Sequence, residues 1–296
     1  MALVPYDDRD GFIWMNGTMV PWRDARIHVL THALHYASCV FEGERVYDGR
    51  IFKLREHTLR LADSARKLGF DLPFDIASLE QACKQVVAAN GISDGYVRPL
   101  AWRGPEMMGV SAQNCRINIA IAAWTWPAYF TPEARLKGIR MTRAIYDRPA
   151  PTTAPTQSKA AGLYMICTLS KHEAEAKGYD DALMLDYRGY LAEGTGANLF
   201  LVIDGKLHTP LPDCFLDGIT RQTVIGLARS RSIEVIERHI KPEELSDAVE
   251  VFLTGTAVEV TPVREIDAYR FEVGAITRQL IMDFDALTRE PARQTG

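Results

Sequence analysis

The 296-residue chain lacks the features that mark several classes of protein. No apolar run approaches the ~20 residues that a membrane-spanning helix needs. The acidic start, with Asp7, Asp8 and Asp10, is unlike a secretory or transit peptide. A net charge of −4 and the lack of a basic block argue against non-specific nucleic-acid binding. The five cysteines are scattered without CxxC spacing, which predicts reduced thiols in a cytoplasmic protein.

The composition, 47% apolar and 24% charged, is typical of a globular protein with one large or two moderate domains. In the first half, Asn16-Gly17 predicts a hairpin turn, and Gly69 ends a helix over residues 55–67. We expect that helix to bury Leu59, Ala62, Ala65 and Leu68. Ser78 and Gln81 read as a capping box that opens a helix stopping at Gly91, and strands are predicted at 96–101 and 116–123.

The segment 124–132, rich in aromatic residues and proline, interrupts this pattern. We therefore predict a small N-terminal α+β domain (1–124), a connection (125–135) and a large C-terminal domain (136–296). In the latter, strands are predicted at 139–146, 182–185, 199–203, 206–209, 234–238, 249–253 and 259–262, and helices at 163–177, 220–230 and 275–287. Many strands with few βα alternations predict mixed or antiparallel sheets rather than a doubly wound one.

One lysine has an unusual neighbourhood. Small, uncharged residues surround Lys159 in Thr156-Gln-Ser-Lys-Ala-Ala-Gly-Leu-Tyr164. A lysine in such a place can have a lowered pKa and act as an amine nucleophile towards an aldehyde cofactor. Most lysines are solvated surface charges, so this pattern alone is weak.

Two segments are suited to binding an anion. Gly218 precedes a predicted helix, and Ile219 and Thr220 would offer N–H groups at its positive end, where a phosphate can bind. An ordinary threonine N-cap is the commoner meaning of such a pattern. The run Leu253-Thr-Gly-Thr-Ala257 is similar, since a strand enters a small-residue turn whose N–H groups can bind oxygens.

Glu193 is a second isolated charge, because it lies between strand-like segments with few charged neighbours. A partly buried carboxylate needs a partner, which can be a structural hydrogen bond or a protonated ring nitrogen. Gly194 and Gly196 do not form a dinucleotide loop, since the third glycine is missing and a strand follows.

Two other kinds of site are disfavoured. His28, His32 and His35 have helical spacing, but no Cys, Asp or Glu completes a metal site, which favours packing or interface roles. A serine hydrolase is not indicated, because the sequence contains no GxSxG.

Together these residues resemble the branched-chain aminotransferase family, pyridoxal-phosphate enzymes of fold type IV. The similarity covers nearly the whole chain, and ten motifs follow the family's order and spacing. They are His32-Ala-Leu-His-Tyr36, Val40-Phe-Glu-Gly43, Arg55-Glu-His57, Tyr96-Val-Arg-Pro99, Gly109-Val110, Ser158-Lys-Ala160, Glu193-Gly194, Asn198-Leu-Phe200, Gly218-Ile-Thr-Arg221 and Gly255-Thr-Ala257.

The resemblance implies a role for each candidate cofactor residue. Lys159 would hold pyridoxal 5′-phosphate covalently and move a proton during catalysis. Glu193 would face the pyridine nitrogen, and Tyr164 would hydrogen-bond the phenolic oxygen. The residues implied for the phosphate are Arg60, Ile219, Thr220 and Thr256.

The resemblance also implies transfer of the amino group from L-leucine, L-isoleucine or L-valine to 2-oxoglutarate. Tyr96, supported by Arg45, would take the α-carboxylate with the backbone of Thr256 and Ala257. Arg98 would receive the distal carboxylate of glutamate, helped by the partner subunit's Tyr36 and the partner subunit's Val110. The implied apolar walls are Phe41, Tyr129 and Tyr164, and the implied assembly is a homodimer or a hexamer.

Three related activities share the lysine and phosphate residues: D-amino-acid aminotransferase, (R)-amine transaminase and aminodeoxychorismate lyase. A non-catalytic dimeric binding protein is a further alternative, against which intact Lys159 and Glu193 count. The set that favours the branched-chain type is Tyr36, Phe41, Gly43, Tyr96 and Arg98. The chain departs from the family pattern at Ala197, which affects the hydrogen bonding expected near the lysine. It also departs at 44–45 and at 102–106, and the second of these segments borders the substrate entrance and so affects the breadth of substrates.

Overall fold

The computed structural model describes residues 4–126 and 132–290. They divide into two compact units, one of residues 4–126 with Ser158–Leu163, the other of residues 132–157 with 164–290. The segment that carries Lys159 therefore belongs to the first unit, although it follows the predicted connection in sequence. Tyr129 lies outside the described residues, as do 127–131 of that connection, and the domain limits stay a prediction.

The first unit is an antiparallel sheet with helices. Its strands, in chain order, are β1 (Phe12–Met15), β2 (Thr18–Pro21), β3 (Cys39–Phe41), β4 (Glu44–Tyr47), β5 (Arg50–Ile51), β6 (Gly95–Arg103) and β7 (Ile117–Thr125). Its helices are α1 (His32–Tyr36), α2 (Leu54–Lys67) and α3 (Ile76–Ala89), with a 3-10 turn at Trp22–Asp24. The strand order is β2-β1-β7-β6-β4-β5, with β3 also pairing with β6. Helices α2 and α3 bury Leu61, Leu79 and Val86 in one core with Val46 and Val97 of the sheet.

Most of the local predictions for this unit are confirmed. Asn16 and Gly17 both have positive φ, at 51° and 98°, as a type I′ hairpin turn requires. The expected apolar side of α2 was wrong at Leu59, which is 46% exposed, whereas Leu61 is 1% exposed. Leu61 and Ala65 are four residues apart and share a face, while Leu59 projects elsewhere.

The predicted capping box on α3 was also wrong. The N-cap is Asp75, whose carboxylate accepts a hydrogen bond from the backbone N–H of Ser78. Ser78 therefore lies inside the first turn of the helix, and α3 begins at Ile76.

The second unit is built around a ring of strands. Its strands are β8 (Ile139–Arg143), β9 (Asp181–Leu185), β10 (Leu191–Gly194), β11 (Asn198–Ile203), β12 (Lys206–Pro210), β13 (Val235–Arg238), β14 (Glu250–Gly255), β15 (Glu259–Ile266) and β16 (Tyr269–Arg270). Its α-helices are α4 (Pro132–Lys137), α5 (Met165–Ala176), α6 (Ile219–Ser230) and α7 (Ala275–Arg289), and a 3-10 helix lies at Pro242–Asp247. A further 3-10 helix, Ala161–Tyr164, begins in the first unit and ends at Tyr164, where the second unit resumes.

Six of these strands pair in the order β10-β9-β8-β15-β14-β11, and β11 pairs back with β10. Strand β8 is parallel to both β9 and β15, whereas the other pairs in the ring are antiparallel. The predicted mixed sheet is therefore confirmed. Leu183, Leu199, Leu253 and Val263 belong to one buried cluster that these strands share.

Two general expectations concern the whole chain. Among the residues described, no helix is both long and apolar enough to span a bilayer. All five cysteines are thiols.

Strand β4 places an ionisable side chain in the core of the first unit. Glu44 is 0% exposed, and neither of its carboxyl oxygens has a hydrogen-bond partner within residues 4–126 and 132–290. Burial, together with the negative charge of Glu42, raises the pKa of Glu44 well above its usual range. The folded chain therefore favours the protonated, uncharged form of Glu44.

This burial predicts how stability depends on pH. In the unfolded chain Glu44 ionises above about pH 4.3, but the folded chain keeps the proton. Stability is therefore lost as pH rises from that value towards the raised folded pKa. We expect Glu44→Gln to raise the melting temperature at pH 8, by about 2–4 °C for each kcal/mol recovered, and to change it little at pH 4. Glu272→Gln, at an exposed site, is the control, and an equal gain at both pH values would contradict the prediction.

Candidate active site

The backbone on either side of Lys159 is held by two other segments of the first unit. The carbonyl of Lys159 accepts a hydrogen bond from the N–H of Phe41 (3.2 Å), and Ala160 forms a β-bridge with Val40. The N–H of Lys159 donates to Ser64 Oγ (3.0 Å) on α2. The amine of Lys159 lies 5.0 Å from the centre of the Phe41 ring. Strand β3 and helix α2 thus fix where the lysine side chain starts and what its amine faces.

A buried carboxylate follows strand β3, the strand that bonds the lysine backbone. Glu42 is 0% exposed, and Arg60 binds both of its oxygens, with Nε at 2.6 Å from Oε1 and Nη2 at 2.9 Å from Oε2. His57 Nδ1 donates to Oε2 at 2.7 Å. Burial alone would raise the pKa of Glu42, but Arg60 and His57 outweigh it and hold that pKa well below its usual range. Burial lowers the pKa of His57, so its ring is neutral at pH 7.

These surroundings change the chemistry of the Lys159 amine. Burial, reinforced by the positive charge of Arg60, lowers the pKa of Lys159 to about 8. Glu42 and the hydroxyl of Tyr96 act in the opposite direction, and Arg98 lowers the pKa further. An amine with this pKa is partly unprotonated near neutral pH and can attack a carbonyl carbon.

Strand β6 supplies an arginine and a tyrosine on the same face. Tyr96 and Arg98 are two residues apart, and Arg98 Nη2 donates to the Tyr96 hydroxyl at 3.4 Å. The Arg98 guanidinium lies 4.8 Å from the centre of the Phe41 ring. Arg45 pairs in register with Tyr96 across β4 and β6, so the two share that face. A Cβ at Gly43 would come within 1.8 Å of the Tyr96 hydroxyl oxygen, so this position admits only glycine.

The second unit holds the other predicted acid. Glu193 is buried on β10 next to a β-bulge, and Arg148 Nε lies 3.3 Å from its Oε1. Asn198 Nδ2 donates to Glu193 Oε2 at 3.3 Å and to the carbonyl of Leu216 at 3.0 Å. Burial lowers the pKa of the Arg148 guanidinium, but Glu193, Cys167 and Tyr164 together have the larger effect, and the pKa is raised. The carboxylate is thus held by an ion pair with Arg148 and by a hydrogen bond from Asn198.

The predicted anion-binding turns lie close to the same asparagine. The N-cap of α6 is Gly218, so the threonine N-cap considered above is wrong, and Thr220 is a buried residue of the first turn. A Cβ at Gly218 would come within 2.1 Å of Asn198 Oδ1. Thr254 pairs in register with Asn198, and its buried Oγ1 has no hydrogen-bond partner in the described part of the chain. Thr256 and Ala257 follow in the half-buried turn between β14 and β15.

The remaining predicted residues are Tyr36, Val110 and Tyr164. Tyr36 and Val110 are exposed, at 44% and 84%, in the first unit. The Tyr36 hydroxyl donates to the carbonyl of Met108 (3.1 Å), and His32 Nε2 donates to that of Gly109 (3.0 Å). His32 therefore has a structural hydrogen bond. In the second unit, Tyr164 packs against a buried cluster that includes Met184.

Sequence reasoning assigned no role to five residues that complete these groups: Glu42, His57, Ser64, Arg148 and Asn198. A signal existed for three of them. His57, Arg60 and Ser64 recur at helical spacing as a polar line on an amphipathic helix, and Glu42 interrupts an apolar strand-like run. For Arg148 no comparable pattern is present.

Comparison with known proteins agrees with this arrangement. The profile of the family described as amino-transferase class IV matches residues 39–266 of the chain. The chain is thus a class IV amino-transferase by family and by fold. Within that class, the chain belongs to the branched-chain-amino-acid aminotransferase family.

Three relatives illustrate the similarity. The probable branched-chain-amino-acid aminotransferase of Rickettsia conorii is 44% identical over 267 residues, which cover 90% of this chain and 91% of that one. The crystal structure of the Escherichia coli branched-chain amino acid aminotransferase is 40% identical, with a TM-score of 0.92 over 97% of this chain and 98% of that one. The structure of the Thermobaculum terrenum enzyme in its PLP form is 33% identical, with a TM-score of 0.85 over 94% of this chain and 93% of that one.

The geometry predicts how the Lys159 amine titrates. We expect its rate of acylation in the cofactor-free chain to rise with pH through a midpoint near 8, because burial and Arg60 disfavour the charged form. Peptide mapping after labelling at each pH measures this rate, with exposed Lys84 as an internal reference. A midpoint near the ordinary lysine value of about 10.4 would show that the amine is not shielded.

Proposed function

We propose that this chain is a branched-chain-amino-acid transaminase, which transfers the amino group of L-leucine, L-isoleucine or L-valine to 2-oxoglutarate. The observation that carries the proposal is the Arg98 guanidinium lying against the Phe41 ring, in the unit that also presents the Lys159 amine to that ring. An apolar wall suits a branched chain, and a cation next to it suits the second carboxylate of glutamate. The relatives reported above bear the name of this activity.

The residues present fit pyridoxal 5′-phosphate as the cofactor. A lysine with a pKa of about 8 suits covalent attachment of an aldehyde. In the second unit, the N–H groups of Ile219 and Thr220 at the start of α6, with the turn at Thr256, offer donors for phosphate oxygens. The Oγ1 of Thr254, which has no hydrogen-bond partner among the described residues, marks a buried polar group next to that turn. When bound, the cofactor supplies an electron sink for the carbon that loses its proton.

The chain's own residues would then perform the proton chemistry. Lys159 Nζ would take the proton from Cα of the substrate, hold it and release it again, a task for which a pKa near neutrality is suited. Glu193 would accept a hydrogen bond from the ring nitrogen of the cofactor and keep that nitrogen protonated, while Arg148 and Asn198 keep the carboxylate in place. Arg60 would contribute positive charge towards the phosphate, and Tyr164 would offer its hydroxyl to the phenolic oxygen.

Substrate recognition is assigned to the groups on β6 and in the turn after β14. The hydroxyl of Tyr96, oriented by Arg98 and supported by Arg45, binds the α-carboxylate together with backbone N–H groups at Thr256 and Ala257. Arg98 binds the distal carboxylate of glutamate. The five thiols agree with a reducing compartment, so we propose a cytoplasmic location.

The test compares two half-reactions, each followed by the absorbance change as the cofactor gains the amino group. Wild type should react with L-leucine and L-glutamate, and faster with both than with D-alanine or (R)-1-phenylethylamine. Arg98→Leu should slow the L-glutamate half-reaction about tenfold or more beyond any effect on L-leucine, because only glutamate leaves an unpaired charge.

The matched control is Arg103→Leu on the same strand, whose side chain bonds the carbonyls of Leu68 and Gly69 and should affect both half-reactions alike. Equal losses for the two substrates in Arg98→Leu would refute the role of Arg98. Preference for the D-amino acid or the amine would assign the chain to another activity of the fold.

We further propose that the functional assembly is a homodimer or a hexamer. The support is a group of exposed apolar side chains in the first unit that includes Val29, Leu34, Tyr36 and Val110, at 72%, 61%, 44% and 84% exposure. Hydrogen bonds from Tyr36 and His32 to the carbonyls of Met108 and Gly109 hold the segment around Tyr36 against the segment that leads to Val110. A second copy would cover this surface and bring Tyr36 and Val110 to its neighbour's substrate.

Sedimentation measures this directly. Wild type should sediment as a dimer or larger, and Leu34→Asp should shift the population towards monomer, because a charge would have to be buried in the contact. Val249→Asp, at an exposed valine of the second unit, should leave the assembly unchanged. A fully active monomer at assay concentration would contradict the proposal.

A further inference from the structure

Two buried glutamates two residues apart behave in opposite ways. Glu42 and Glu44 are both 0% exposed. Four donor atoms, from Arg60, His57 and the backbone N–H of Gly43, hold the oxygens of Glu42. The oxygens of Glu44, by contrast, have no hydrogen-bond partner in the described residues. Arg60 and His57 therefore hold Glu42 as an anion, whereas burial favours the protonated form of Glu44, so that Glu44 is a matched control for the charge of Glu42.

Four groups of the first unit act electrostatically on the Lys159 amine. Arg60 on α2 and Arg98 on β6 are cations, and Tyr96 on β6 carries a hydroxyl. The fourth is Glu42, the one ionised carboxylate in this set. His57, also on α2 and in contact with Glu42, is neutral because it is buried.

The same helix that binds Glu42 also holds the lysine. His57, Arg60 and Ser64 lie on one face of α2, at intervals of three and four residues. Two of them bind Glu42, and the third accepts the hydrogen bond from the Lys159 backbone. The positions of the anion, the arginine and the lysine relative to one another are therefore set by one rigid element.

We propose that Glu42 is a positioning residue, which orients Arg60 and balances its charge so that the Lys159 amine is only partly deprotonated near neutral pH. Without the charge of Glu42, Arg60 and Arg98 would favour the uncharged amine further, and a smaller fraction of it would hold the proton that it moves. The inference rests on the proposed function only in taking Lys159 as the reacting amine.

The test titrates Lys159 in the cofactor-free, full-length chain by acylation and peptide mapping across pH. Glu42→Gln should lower the midpoint by about one pH unit, since it removes a neighbouring opposite charge. Glu42→Asp, which keeps the charge, should restore a midpoint close to that of wild type. Glu44→Gln, the matched control, should leave the midpoint unchanged. An unchanged midpoint in Glu42→Gln, or an equal shift in Glu44→Gln, would overturn the proposal.

Removing one member of a buried ion pair can prevent folding, so a second variant removes both charges. The double variant Glu42→Gln/Arg60→Gln should titrate close to wild type, because the loss of the Arg60 cation and the loss of the Glu42 anion act on the Lys159 amine in opposite directions. A midpoint well above that of wild type, as expected if Arg60 alone mattered, would also overturn the proposal. No substrate is used, so the outcome is independent of whether transamination of branched-chain substrates is found.

Discussion

The structure of the first unit depends on one constraint: a lysine amine must be kept out of bulk water without being left as an unbalanced charge. Burial lowers the pKa of Lys159 to about 8, which is enough to free part of the amine near neutral pH. The neighbouring elements follow from that requirement. Strand β3 and Ser64 hold the backbone, so that the amine faces the Phe41 ring. Glu42 in turn binds Arg60 and His57, because a buried carboxylate without such partners would itself destabilise the fold.

In the second unit the corresponding constraint is a buried carboxylate that must keep its charge. Glu193 follows a bulge of β10 and pairs in register with Met184 of β9 and with Asn198 of β11. Arg148 forms an ion pair with the carboxylate, and Asn198 donates a hydrogen bond to it. Asn198 also bonds the carbonyl of Leu216, so a single amide links the carboxylate to the loop that leads into α6. The closed ring of strands gives β10 and β11 a partner on each side, which fixes these positions.

The sequence predicted those features that neighbouring residues encode. Asn16-Gly17 forms its turn because both residues tolerate positive φ, and the small residues around Lys159 indicated a special amine. Long-range contacts could not be predicted, because they join residues far apart in the chain. The hydrogen-bonded residues Glu42 and Arg60 are 18 positions apart in the sequence, and Lys159 and Ser64 are 95 positions apart. The error at Leu59 had a simpler cause, since Leu59 and Leu61 lie on different faces of α2 and only packing against the sheet decides which face is buried.

Gly43 shows how a residue without a side chain can constrain an active site. The space that its Cβ would occupy is already filled by the Tyr96 hydroxyl oxygen, 1.8 Å away. Any larger residue would therefore displace the group that Arg98 orients, although position 43 has no side chain to touch a reactant. During evolution, exposed residues at the edge of the site can change, whereas a substitution at Gly43 would displace Tyr96. A survey of tolerated mutations would therefore find Gly43 as intolerant of substitution as the lysine, because of the space it leaves rather than its chemistry.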